Sequence, residues 1–242
     1  MWFYAHKERS RQMSIFTPYF LCVLFLVAMY GFARLALYFS NISALRSIYK
    51  SGVYTPQTVH ILFLASFGAK NIVSNGFLPR ATEKSVDYES YDHILILNRE
   101  IVIVTVCRQD GKIQNPPTDE TWTSRIRARN GIEREIDFEN PVIAGVRKKE
   151  ALSKILERAK CRFQIPIRHI VIFPSRRVSF LLPRGSEIMS PPEAMRFLTR
   201  SAKASKFTKE QRKKIKKAIS HFSRSESQIR QIEAKKAKRR HR

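Results

Sequence analysis

Between Ile15 and Ala33 the chain reads IFTPYFLCVLFLVAMYGFA, nineteen residues without a charged side chain. A helix of about 20 apolar residues crosses the hydrocarbon core of a bilayer, so this run predicts a single transmembrane helix. Tyr19, Tyr30 and Tyr38 suit the two interfaces. Arg34 interrupts the run, but LALYF follows, and a snorkelling Arg34 lets the helix extend to residue 39. A secretory signal peptide is the rival reading. Against it, the run exceeds the usual ~7–15 apolar residues and no A-x-A cleavage site follows. Lys7, Arg9 and Arg11 precede the span while Arg34, Arg46 and Lys50 follow it, a tie under the positive-inside rule.

Everything beyond the span is polar enough to fold in water, and it is strongly basic. The chain of 242 residues carries 45 Lys and Arg against 20 Asp and Glu, a net charge of +25. The excess is concentrated: from Ser201 to Arg242 there are 16 Lys and Arg and 3 Glu, a net of +13. Such a segment favours polyanions, because neutralising phosphates releases their counterions. The candidate contacts to nucleic acid or to anionic lipid are Lys213, Lys214, Lys216, Lys217, Lys235, Lys236, Lys238, Arg239 and Arg240. Residues 207–222 have the spacing of an amphipathic helix with Phe207, Ile215, Ile219 and Phe222 on one side. The remainder of the tail reads as disordered or fraying. Cys22, Cys107 and Cys161 lack CxxC or His-rich spacing, so they predict buried thiols in a reducing compartment. With the basic tail, they favour a cell-membrane protein whose soluble domain faces the cytoplasm.

Between span and tail, helical and strand signals alternate. VHILFLASFG (59–68) has helical spacing and stops at Gly68. NIVSNGFLP (71–79), HILIL (93–97) and IVIVTVC (101–107) read as strands, the last two forming a hairpin and the third buried on both faces. Residues 111–139 form a long polar excursion. Residues 142–160 predict a helix with Val142, Val146, Leu152, Ile155 and Leu156 on one face. Strands at 167–174 and 178–183 follow, then a helix from 192 with Ser190 as a candidate N-cap. The expected class is α/β, with helices covering both faces of a sheet. The expected order is a basic segment (1–14), the transmembrane helix (15–39), a juxtamembrane linker (40–55), an α/β domain (56–200) and a basic helical or disordered tail (201–242).

The order Tyr91-Asp92-His93 opening one strand, then Ile101 to Cys107, Asp110-Gly111-Lys112-Ile113, Trp122, Asn140-Pro141 and the strand from His169 to Phe173 resembles the nuclease-related domain (NERD) family over about residues 55–200. The resemblance implies a restriction-endonuclease-like α/β core. It also implies a site in which two carboxylates hold Mg²⁺ and a lysine helps activate water at a phosphodiester. Asp92 matches the family aspartate. The family's Glu-x-Lys falls on Thr105-Val106-Cys107, its Gln after Asn-Pro falls on Ala144, and its early Gly-Glu falls on Pro56-Gln57. The resemblance therefore implies a nuclease frame with a degenerate catalytic motif, with Asp92 a remnant and no metal expected unless a nuclease site persists. A relocated site using Asp92, Asp110 and Arg108 is the enzymatic alternative. A scaffolding envelope protein whose tail rests on anionic lipid is the non-enzymatic one. No glycine-rich phosphate loop or small-molecule cofactor motif is present.

Overall fold

The computed structural model describes residues 20, 22–32, 43, 47–48, 50–82, 86–127, 131–161, 164–203 and 207–240. It divides into two compact units, Met1–Ser51 and Gly52–Arg242. In the first unit residues 22–32 are helical. Their apolar side chains stand open, with Leu26 66% and Phe32 73% exposed. No helix among the described residues is long and apolar enough to cross a membrane. Most of the rest of the expected span, 15–39, lies outside the described residues.

The second unit begins with α1 (Pro56–Phe67), which starts where Thr55 and Thr58 form a capping box and Pro56 supplies a preset first turn. It stops at Gly68, whose φ of 74° is a left-handed conformation that side chains rarely adopt. The main sheet has the order β1 (Ile72–Ala81), β2 (Val86–Ile96), β3 (Ile101–Val106), β7 (Ile167–Ile172), β9 (Ile188–Met189). β1, β2 and β3 run antiparallel in a meander, with His93 opposite Val104. β3 and β7 are parallel, pairing Ile101 with Ile167 through Val106 with Ile172. As its unbroken apolar run predicts, β3 is buried on both faces, Ile101 to Val104 having no exposed surface.

The expected polar excursion is instead a second sheet. Its order is β6 (Glu133–Glu139), β5 (Thr121–Arg127), β4 (Lys112–Gln114), β8 (Ser179–Phe180). These strands alternate weakly: β6 is almost entirely exposed and β5 buries chiefly Trp122 and Ser124. Their apolar period is thus too sparse to show in sequence.

α2 (Pro141–Arg158) is started by Asn140, whose Oδ1 accepts from the N–H of Val142 at 2.9 Å, with Pro141 in its first turn. α3 (Pro191–Lys203) is capped through Glu193, which accepts from the backbone N–H and the hydroxyl of Ser190. α4 (Lys209–Phe222) has a Thr208–Gln211 capping box, and α5 (Glu226–Arg240) follows. One core contains Leu78, Tyr91, Ile94, Ile96, Ile101 and Ile103 of the sheet, Ala151, Leu152, Ile155 and Leu156 of α2, and Phe207, Ile215 and Ile219 at α4. The amphipathic helix expected in the tail forms with the expected inner side. The last segment, expected as disordered or fraying, is helical through residue 240.

Candidate functional site

Strand alternation decides which side chains meet beneath α2. On β2, Asp92 shares a face with Ile94 and Ile96; on β3, Thr105 shares one with Ile101 and Ile103, all four isoleucines belonging to the α2-side core. On β7, His169 stands on the same side, against α2. On α2, the residues that face inward are Ala144, Gly145, Lys148, Ala151, Leu152, Ile155 and Leu156. Lys148 occupies a core position in that stripe and is only 5% exposed.

The four polar side chains form one cluster. The Lys148 ammonium donates to Thr105 Oγ1 at 2.9 Å, and the same oxygen lies 3.0 Å from His169 Nε2. Asp92 Oδ2 accepts from the backbone N–H of Val106 at 2.8 Å. Burial pushes the Asp92 carboxyl above its usual range, opposed by the Val106 N–H and by the charges of Lys148 and Arg108. Burial pushes Lys148 below its usual range, opposed first by Asp92. Each charge is therefore costly, and its attraction to the other offsets that cost only in part. His169, buried beside Lys148 and Lys149, is lowered to about 3 and is neutral at physiological pH. The Cys107 thiol is raised to about 12 by burial, so it supplies neither thiolate nor cation.

His169 is held against α2 by the absence of a side chain at Gly145, where a Cβ would stand 2.0 Å from His169 Nδ1. The imidazole also lines a cleft of about 530 Å³ between α2, β7 and α3, whose walls include Val142, Lys149, Arg168 and Glu187. Nearby, Glu89 accepts from Arg147 Nε at 3.1 Å and meets Arg80 at 3.2 Å, while Arg147 also bonds Glu139.

The donor set does not fit the Mg²⁺ that the nuclease resemblance implies. Mg²⁺ takes hard oxygen ligands in near-octahedral order and is bound through carboxylates. The cluster offers one carboxylate, already engaged by a backbone N–H, beside a neutral hydroxyl, a neutral imidazole and a fixed ammonium. Among the described residues no three His, Cys, Asp or Glu side chains are grouped to hold a metal ion. Lys148 already supplies the positive charge next to Asp92.

Of the relocated-site residues, Arg108 acts on the charge of Asp92. Asp110 precedes β4, and its carbonyl accepts from Ser124 Oγ of β5. Glu100 lies buried at the other end of β3, where it meets the exposed Arg168 at 3.1 Å and accepts from the Ser201 hydroxyl. The basic candidates separate: Lys213, Lys216 and Lys217 line a second cleft with Lys70, Lys209 and Arg212, whereas Lys214 turns away to donate to the carbonyl of Lys160 at 2.8 Å. Lys235, Lys236, Lys238, Arg239 and Arg240 fall on α5, with their side chains outside the described set.

Sequence reasoning passed over Lys148, taking Val146 for the apolar face, although Val146 is 46% exposed. The available signal was a lysine breaking the stripe 144, 145, 151, 152, 155. No curated protein and no solved structure matches the chain. Residues 61–174, which span the Asp92–Thr105–Lys148–His169 cluster, match the family model of the nuclease-related domain, NERD.

Proposed function

We propose that this chain is a membrane-anchored protein whose NERD-like domain, on a restriction-endonuclease-like core, binds nucleic acid without metal-dependent strand cleavage. The observation that carries the reading is Lys148. Its ammonium is bonded to Thr105, at the place the family gives to the second carboxylate, and it compensates Asp92. A buried lysine at that point offsets part of the charge of Asp92 and repels a further cation, while Glu89 nearby is held by Arg80 and Arg147. Binding is supported by the net charge of +25 and by the cationic helices α4 and α5. Anchoring is supported by the uncharged run from Ile15 to Ala33.

The test is a cleavage and binding assay on the full chain in detergent, with labelled DNA and RNA, Mg²⁺ or Mn²⁺, and a salt series. Salt-sensitive retention with intact substrate is the expected result. Metal-dependent cleavage that disappears in Asp92→Asn would overturn the loss of chemistry. No retention of either nucleic acid, with binding to anionic vesicles instead, would overturn the choice of ligand. Alkaline extraction of membranes checks the anchor, and release of the chain into the soluble fraction counts against it.

A further inference from the structure

A second cleft, open to one side, lies beside α4. It has a volume of about 480 Å³ and is lined by Lys70, Asn71, Lys209, Arg212, Lys213, Lys216 and Lys217. Five of its six cations stand at positions 209, 212, 213, 216 and 217, one stripe of a helix whose opposite side is anchored in the core by Ile215 and Ile219. The stripe is about 12 Å long at 1.5 Å per residue. Lys70 faces it from the turn between α1 and β1. Lys216 spans the gap, its ammonium donating to the carbonyl of Ala69 at 2.7 Å, and Arg212 is fixed by Asn98 Oδ1. Among the described residues none of the six cations is in an ion pair.

Like charges three and four residues apart destabilise a helix, and here the repulsion is repeated along the whole stripe with no carboxylate among the lining residues. The arrangement is costly for an empty cleft and favourable for an occupied one. The occupant must be strongly anionic, because a single phosphate leaves most of the six charges unanswered. It must also be compact. Five cations lie along about 12 Å of the α4 wall and Lys70 stands across from them, so the charge is gathered over the length of a few linked phosphates rather than along a duplex track.

We propose that this cleft binds a compact polyphosphate, a short chain or cluster of linked phosphates either free or displayed on a single headgroup. The proposal refines the polyanion reading for α4 alone, and nucleic-acid retention by the whole chain is measured separately in the same series.

The experiment is titration calorimetry and thermal unfolding of the full chain in detergent, with inorganic tripolyphosphate, inositol hexakisphosphate and orthophosphate at constant ionic strength. Vesicles with and without phosphatidylinositol bisphosphate form a second arm, and a single-stranded oligonucleotide a third. Tripolyphosphate and inositol hexakisphosphate are expected to bind and raise Tm, and orthophosphate to do neither at the same concentration. Lys213→Gln/Lys217→Gln is expected to weaken that binding about tenfold or more, whereas Lys214→Gln, on the neighbouring face, leaves it unchanged. Binding by the bisphosphate vesicles that free inositol hexakisphosphate displaces identifies a headgroup as the source, and binding of the free polyphosphates alone identifies a soluble one. Equal affinity in the double variant and the parent overturns the site. So does an oligonucleotide that outcompetes inositol hexakisphosphate in the parent and loses binding in the double variant, since the cleft is then a strand's seat. Oligonucleotide binding that survives Lys213→Gln/Lys217→Gln leaves both readings standing. Its absence in the parent, with tripolyphosphate binding intact, removes only the nucleic-acid reading.

Discussion

Replacing Lys148 by Met tests the cluster beneath α2 most directly. Methionine keeps the stem's volume and removes the ammonium, so Thr105 loses a charged donor at 2.9 Å and Asp92 loses its largest side-chain compensation. Removing one member of a buried contact pair costs about 3–5 kcal/mol when the remaining charge has no escape, an upper bound for Lys148 and Asp92, which attract each other without a direct ion pair. Asp92 has one: it can take up a proton, which from a normal carboxyl pKa costs about 4 kcal/mol at pH 7 and caps the loss. It also keeps the Val106 N–H, so a destabilisation of about 2–4 kcal/mol is expected. Adding Asp92→Asn removes the stranded charge and should recover most of that loss. The assay is denaturant unfolding of the full chain in detergent, followed by the fluorescence of Trp122, which is 2% exposed. Acid supplies an independent check. The folded carboxyl of Asp92 is already raised, so its contribution is fully favourable below the unfolded pKa and declines as pH rises through the folded value. Lys148→Met raises it further, and its deficit relative to the parent should therefore shrink on acidification. A Lys148→Met chain within about 0.5 kcal/mol of the parent at pH 7 would refute the reasoning. So would a double variant no more stable than the single one.

Three further outcomes are expected. Gly145→Ala should reverse the usual helix gain of up to ~1 kcal/mol and instead destabilise by about 1–3 kcal/mol, because its Cβ would meet His169 Nδ1 at 2.0 Å; denaturant midpoints read the sign. Folded His93 and His169 are lowered to about 4 and about 3, so the stability they contribute is present above pH 6.5 and is lost as pH falls toward those values. Unfolding free energies between pH 7 and pH 4 should fall by a few kcal/mol, and less steeply in His169→Gln. Cys107, buried and raised to about 12, should react with a thiol reagent at pH 8 only after unfolding, which mass spectrometry of the labelled peptides reports.

The hairpin of β2 and β3 was legible because its residues are β-branched and its turn short, Leu97 N–H reaching the Glu100 carbonyl at 3.0 Å. Gly68 ended its helix for a reason that local chemistry supplies, whereas the capping role of Asn140 emerged only with the structure. Asp92 is singled out by the order of motifs, and its Oδ2 accepts from the Val106 N–H of β3. The second sheet was not legible, because β6 buries almost nothing and β8 is two residues long. Nor was the composition of the cluster. Thr105, Lys148 and His169 lie on three elements, and their meeting depends on the parallel pairing of β3 with β7 and on the narrow approach that Gly145 allows. Lysines 213, 214, 216 and 217 look alike in sequence, and only the rotation of α4 about its buried side sends Lys214 to a different neighbour from the others.

That rotation also restricts how the gene for this helix can change. Each residue turns an α-helix by about 100°, so a one-residue insertion or deletion within α4 swings part of the helix round by that angle. Ile215 and Ile219 would leave their places, and a lysine would be driven inward in exchange. Single substitutions can therefore drift across the outer surface of α4, but changes of length cannot. The spacing of its charges is inherited together with the spacing of its isoleucines, and a homologous sequence that aligns through α4 without a gap should be expected to keep both.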